Sequence, residues 1–103
     1  MTSSDGQAPL TAVELDALDL LRMGSESTEL LLEMIADDLR PSEIRALCAM
    51  LVSLAGRGLI VAAEELNQRV VPIEDICCDE GGERYWWTLT PAGRELVDEA
   101  GSP

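Results

Sequence analysis

The chain has 103 residues, 47% of them hydrophobic and 26% charged, enough for one soluble domain with a modest core. Twenty acidic residues stand against seven basic ones, all arginine, for a formal net charge of −13, and histidine is absent. Such a surface is repelled by DNA, RNA and anionic membranes unless the arginines gather on one face. The missing histidine removes the ordinary general base of neutral pH and any Ser-His-Asp or Cys-His arrangement.

The opening "MTSSDGQAPL" is polar, with neither a basic region nor a hydrophobic stretch. It is expected to be a flexible tail, residues 1–10, and not a secretory signal. No apolar run approaches the ~18 residues that span a bilayer, and the expected compartment is the cytoplasm. A first helix follows, with Thr11 as N-cap and Glu14 completing a capping box. Leu15, Leu18 and Leu21 or Arg22 recur at helical spacing, Asp16 and Asp19 lie outside, and Gly24 ends it. A second helix starts at Ser27 or Thr28 and runs to about Ala36. Leu31, Leu32 and Ile35 face inward there, while Leu30 and Met34 form a second apolar edge that a small domain has difficulty burying.

The third helix is expected to begin at Pro41, whose missing N–H costs nothing in a first turn. Ile44, Leu47, Cys48, Leu51, Leu54 and Ala55 make its inner stripe, and Gly56 and Gly58 close it. "GLIVAAEEL" then changes to β-type residues, and "NQRVVPIEDICC" is irregular around Pro72. "DEGGE" is a turn signal, "RYWWTLT" a strand, and Thr90 caps a last helix with Pro91 at its first position. The expected fold is mainly α with a small β-hairpin, a three-helix core followed by a wing and a C-terminal helix. The domain spans 11–97, with tails at 1–10 and 98–103.

Two stretches resemble the winged helix-turn-helix superfamily. "LAGRGLI" looks like the end of a recognition helix entering the first wing strand. "WTLTPAGREL" looks like the Leu-Thr-x-x-Gly pattern that closes the wing in MarR-type and PadR-type regulators. The resemblance covers about Thr11 to Val97, and it implies DNA reading by the third helix. Fold does not settle function. The outward set of that helix is Ser42, Glu43, Arg45, Ala46, Ala49, Met50 and Ser53, in which only Arg45 can reach a base or phosphate. The wing, often basic in DNA-binding relatives, carries Asp79, Glu80 and Glu83 against Arg84. An Ala-Ala-Met strip suits a partner's groove or a segment of the same chain better than a major groove.

Strand alternation puts Tyr85, Trp87 and Leu89 on one face and Trp86 and Thr88 on the other. If Leu89 faces the helices, as the resemblance implies, Trp87 is a core residue. Trp86 either packs under residues 66–76 or anchors a partner, since tryptophan buries a large area while freezing few torsions.

Three cysteines cannot form a closed disulfide framework. Cys48 reads as a small core residue, and Cys77 and Cys78 as strand neighbours pointing to opposite faces. Zinc is disfavoured without histidine or a CxxC spacing. "DEGGE" lacks the alternating oxygen ligands of a calcium loop and reads as a solvated turn. No catalytic residue, metal or cofactor is expected.

The leading expectation is a small acidic regulator or inhibitor that binds a basic protein surface. Its contact residues would be Trp86, Met50, Ala46 and Ala49, with Asp79, Glu80 and Glu83 as a rim. The alternatives are a DNA-binding regulator using Arg45, Arg40, Arg57 and Arg84, and an acidic decoy of a nucleic-acid-binding protein. Homodimerisation through the last helix or the Met50 strip is a further expectation.

Overall fold

The computed structural model describes residues 10–64, 69–78 and 85–101. Helix α1, Ala12–Leu21, carries the capping box: Thr11 Oγ1 accepts from the Glu14 N–H at 3.2 Å, and Glu14 Oε1 accepts from the Thr11 N–H at 2.8 Å. Strand β1, Glu26–Ser27, leads directly into α2, Thr28–Met34, where Ser27 Oγ accepts from the Leu30 N–H at 3.2 Å. Asp16, expected to point to solvent, instead reaches across and accepts from the Ala36 N–H at 3.1 Å. A carboxylate on α1 therefore ties down the chain leaving α2.

Helix α3 spans Ile44–Gly56 and starts three residues later than Pro41 predicts. Its N-cap, Glu43, has extended backbone angles and makes no side-chain cap. Leu47, Cys48, Leu51, Leu54 and Ala55 are buried as the stripe requires. Gly58, at φ 79°, takes the left-handed conformation that turns the chain out of α3, and the Leu59 N–H returns to the Leu54 carbonyl at 3.2 Å. Strand β2, Ile60–Glu64, follows, then β3, Val70–Val71, a 3₁₀ turn at Ile73–Asp75, β4, Tyr85–Leu89, and α4, Pro91–Gly101. Helix α4 runs past the expected Val97 boundary, and its Asp98 pairs with Arg22 at the end of α1 at 3.0 Å.

The strands form one antiparallel sheet in the order β1-β4-β2-β3. The expectation of a mainly α winged helix-turn-helix chain with one small hairpin is therefore corrected. The described residues make a mixed α/β fold, four helices with a four-stranded sheet. Both edge strands are two residues long, too short for a hydrophobic period of their own, and they exist only by pairing with β4 and β2. Helices cover one face of the sheet. The core between the layers holds Leu18, Leu21, Leu31, Ile35, Leu51, Leu54, Ile60, Tyr85 and Trp87, all buried. No helix among the described residues is long and apolar enough to cross a membrane.

The cysteine expectation is also corrected. Cys48 on α3 and Cys78 beyond the 3₁₀ turn are joined in a disulfide, and Cys77 is exposed and free. Cys77 and Cys78 lie outside any strand. The pairing crosses 30 residues of sequence, and it holds the irregular segment after Pro72 against α3.

Candidate functional site

Alternation along β4 sets two tryptophans to opposite fates. Tyr85, Trp87 and Leu89 point to the helices and are buried, and Tyr85 and Trp87 meet edge to face at 6.3 Å between ring centroids. The Trp87 indole N–H donates to Thr28 Oγ1 at 2.7 Å inside the core. Trp86 points away from the helices and is half-buried. Its indole nitrogen is sealed from solvent and has no hydrogen-bond partner among the described residues. Leaving such a donor unpaired costs about 1–3 kcal/mol.

Register brings the surroundings of Trp86 together. Ser27 on β1 and Ala63 on β2 are its direct cross-strand neighbours, and Val70 on β3 lies opposite Ala63. The next row holds Thr88 opposite Val61, and Ser25 Oγ lies 2.6 Å from Thr88 Oγ1. Together with Glu64 at one end, these residues line an open groove of about 650 Å³. Val61 is 37% exposed and Val70 60%, so the apolar floor of the groove reaches the surface. An exposed apolar face with a polar border is the usual mark of an interaction site.

The other predicted contact residues do not join Trp86. Ala46 and Ala49 are exposed on the side of α3 turned from the core. Met50, expected among the outward residues, is half-buried and packs against the core cluster, a correction to its place in the strip. The turn at Ile73–Asp75 contacts α3, and the disulfide fixes the following chain to Cys48. Ala46 and Ala49 stay uncovered by it. The rim acids Asp79, Glu80 and Glu83 lie outside the described residues, as does Arg84.

Two of the arginines proposed for DNA, Arg40 and Arg45, are engaged locally. Arg40 Nη2 donates to the carbonyls of Glu33 at 3.0 Å and Ile35 at 3.3 Å and pairs with Asp37 at 2.8 Å. It acts as a cap for the end of α2. Arg45 pairs with Glu43 at 3.7 Å, and Arg57 is half-buried at the C-cap of α3. Among the described residues, no group of three His, Cys, Asp or Glu side chains is placed to hold a metal ion.

The groove residues that sequence reasoning missed are Val61, Ala63, Val70, Ser25 and Thr88. "IVAAE" is apolar at four positions running, so the sequence marks a strand but not which of its faces turns outward; the burial of Ile60 and Ala62 sets Val61 and Ala63 on the outer side. Nothing in the sequence says which residue of β4 each would meet. Compared with known proteins, the chain matches no family model, no curated protein and no solved structure.

Proposed function

We propose that this protein is a small non-enzymatic regulator or inhibitor that works by binding another protein. The outer face of the sheet around Trp86 is its contact surface. The observation that carries this reading is the contrast between the two tryptophans: Trp87 is locked in the core by Thr28, and Trp86 lies on an open apolar face with an indole N–H that has no partner among the described residues. A partner covering that face would remove Val61, Val70 and the ring from water, the kind of central aromatic contact that dominates interface energies. The net charge of −13 steers such a protein toward a basic surface.

The local pairing of Arg40 and Arg45 with acids supports polypeptide over nucleic acid as the target. Nonspecific affinity for DNA comes from neutralised phosphates, and arginines already facing carboxylates supply little of it. The compartment belongs to the same reading. In the cytoplasm the Cys48–Cys78 pair would be kept as thiols. If alkylation of intact cells finds the bond formed, the protein works in an oxidising compartment instead.

The test has two arms. Purified protein should give no mobility shift with duplex DNA at about 50 mM salt. Affinity capture from nuclease-treated extract of the source cells should retain a polypeptide that Trp86→Ala does not retain. A salt-sensitive DNA shift, or capture indifferent to Trp86, would overturn the proposal.

A further inference from the structure

We infer that the groove beside Trp86 takes an arginine or lysine side chain from an extended basic segment of the partner, with the cation against the Trp86 indole. This rests on the protein-binding reading above and adds the chemistry of the occupant. The shape of the groove is the first reason. In the row Ser27, Trp86, Ala63, Val70, a single-carbon side chain sits between the indole and Val70. That leaves a slot with an aromatic wall on one side and an aliphatic wall on the other. A long aliphatic stem lies along such a slot while its charged head stays near polar groups. The face of an indole is the best side-chain partner for an organic cation.

The polar border is the second reason. Ser25 and Thr88 share one hydrogen bond at 2.6 Å, and each hydroxyl oxygen keeps acceptor capacity for a guanidinium or ammonium N–H. Glu64 lines the groove as well; it pairs with Arg69 at 4.0 Å and places a carboxylate at the end of the slot. The sealed Trp86 N–H completes the picture. It has no acceptor among the described residues, so a main-chain carbonyl of an extended segment would satisfy a donor that is otherwise left over.

Charge is the third reason, and it separates a basic partner from a second copy of this chain. Two copies, each with a net charge of −13, repel one another as whole molecules, whereas a cationic segment meets complementary potential and the acid Glu64 in the groove lining. The described sheet face has no basic side chain of its own in the groove lining.

The experiment follows the two tryptophan indole resonances of ¹⁵N-labelled protein, assigned with Trp86→Phe, during titration with the capped peptide Val-Arg-Val-Arg-Val. The control is the same peptide with citrulline in place of arginine, which keeps the shape and removes the charge. The arginine peptide should move the Trp86 resonance saturably, with a Kd below about 1 mM, and leave Trp87 in place. The citrulline peptide should bind about tenfold more weakly or worse. Ala63→Leu, which fills the slot, should abolish the shift while an unchanged Trp87 resonance reports an intact core.

Equal binding of the two peptides would overturn the inference, as would no shift with either. A Trp86 resonance that moves with protein concentration alone would also overturn it, because the occupant would then be a second copy. Each of these outcomes leaves Trp86-dependent capture of a protein standing. Loss of that capture is a separate failure, and it removes the protein-binding reading itself.

Discussion

The indole N–H of Trp87 donates to Thr28 Oγ1 at 2.7 Å, and the same hydroxyl donates onward to the Tyr85 carbonyl at 3.4 Å. Thr28 is the only buried polar residue among those described, and it sits at the first position of α2. One side chain thus ties β4, an inner strand of the sheet, to a helix 59 residues away in sequence. The burial of Trp87 and the direction of Trp86 both follow from this fixed register.

Thr28→Val should leave the Trp87 N–H without an acceptor in a site closed to water. The expected loss is about 1–3 kcal/mol, read as a lower midpoint in urea unfolding with an unchanged slope. Thr28→Ser keeps the oxygen and should lose much less. Equal losses for the two variants would mean that the methyl group, and not the hydroxyl, matters there.

Gly93 explains part of the "TPAG" segment. Thr90 caps α4, accepting the Gly93 N–H at 3.0 Å, and its hydroxyl donates to the Gly58 carbonyl at 2.7 Å. This draws the first turn of α4 so close to β2 that a Cβ at Gly93 would collide with the Leu59 carbonyl. Gly93→Ala should cost roughly 1–3 kcal/mol, because backbone must move to admit the methyl group. Gly56, at the end of α3, has open space around it and no left-handed φ. Gly56→Ala should be neutral or gain up to about 1 kcal/mol, as expected for an alanine in helix. Matched urea curves for the two variants check both signs.

The Cys48–Cys78 bond closes a loop of 30 residues, for which chain entropy gives about 3–4 kcal/mol of stabilisation. Dithiothreitol should therefore lower the melting temperature of the purified, oxidised protein, and Cys78→Ser should lower it by a similar amount. The reductant should then have no further effect on Cys78→Ser. Before reduction, maleimide should label Cys77 alone, since it is the exposed free thiol. Rapid labelling at two or three sites in folded, unreduced protein would contradict the pairing.

What was legible in the sequence was local. The Thr11–Glu14 box, the stripe of α3 and the alternation of β4 each rest on residues within a few positions of one another. The alternation put Trp87 and Trp86 on opposite faces, while the choice of Trp87 as the core residue rested on the winged-helix resemblance and the surroundings of Trp86 stayed open. What was illegible depends on pairing across the chain. Glu26–Ser27 looked only like a helix start, and Val70–Val71 only like irregular chain before a proline. Both are strands because β4 and β2 present unpaired edges to them, which turned an expected hairpin into a four-stranded sheet. Cys48 and Cys78 stand 30 residues apart and are brought together by the packing of the Ile73–Asp75 turn on α3, which no local pattern announces. Met50 shows the limit of a helical wheel, because the wheel marks an outward side but not how far the core cluster wraps around it. The groove was half visible: Trp86 announced itself, and Val61, Ala63 and Val70 needed the register.

A partner held on the outer face of the sheet should be caught there by photo-crosslinking in the source cells. A benzophenone amino acid placed at Val61, beside Trp86, should yield a discrete polypeptide adduct that resists nuclease. The same group at Ala49 on α3 should yield little. Adducts that form at Ala49 and not at Val61, or that disappear with nuclease, would contradict the account.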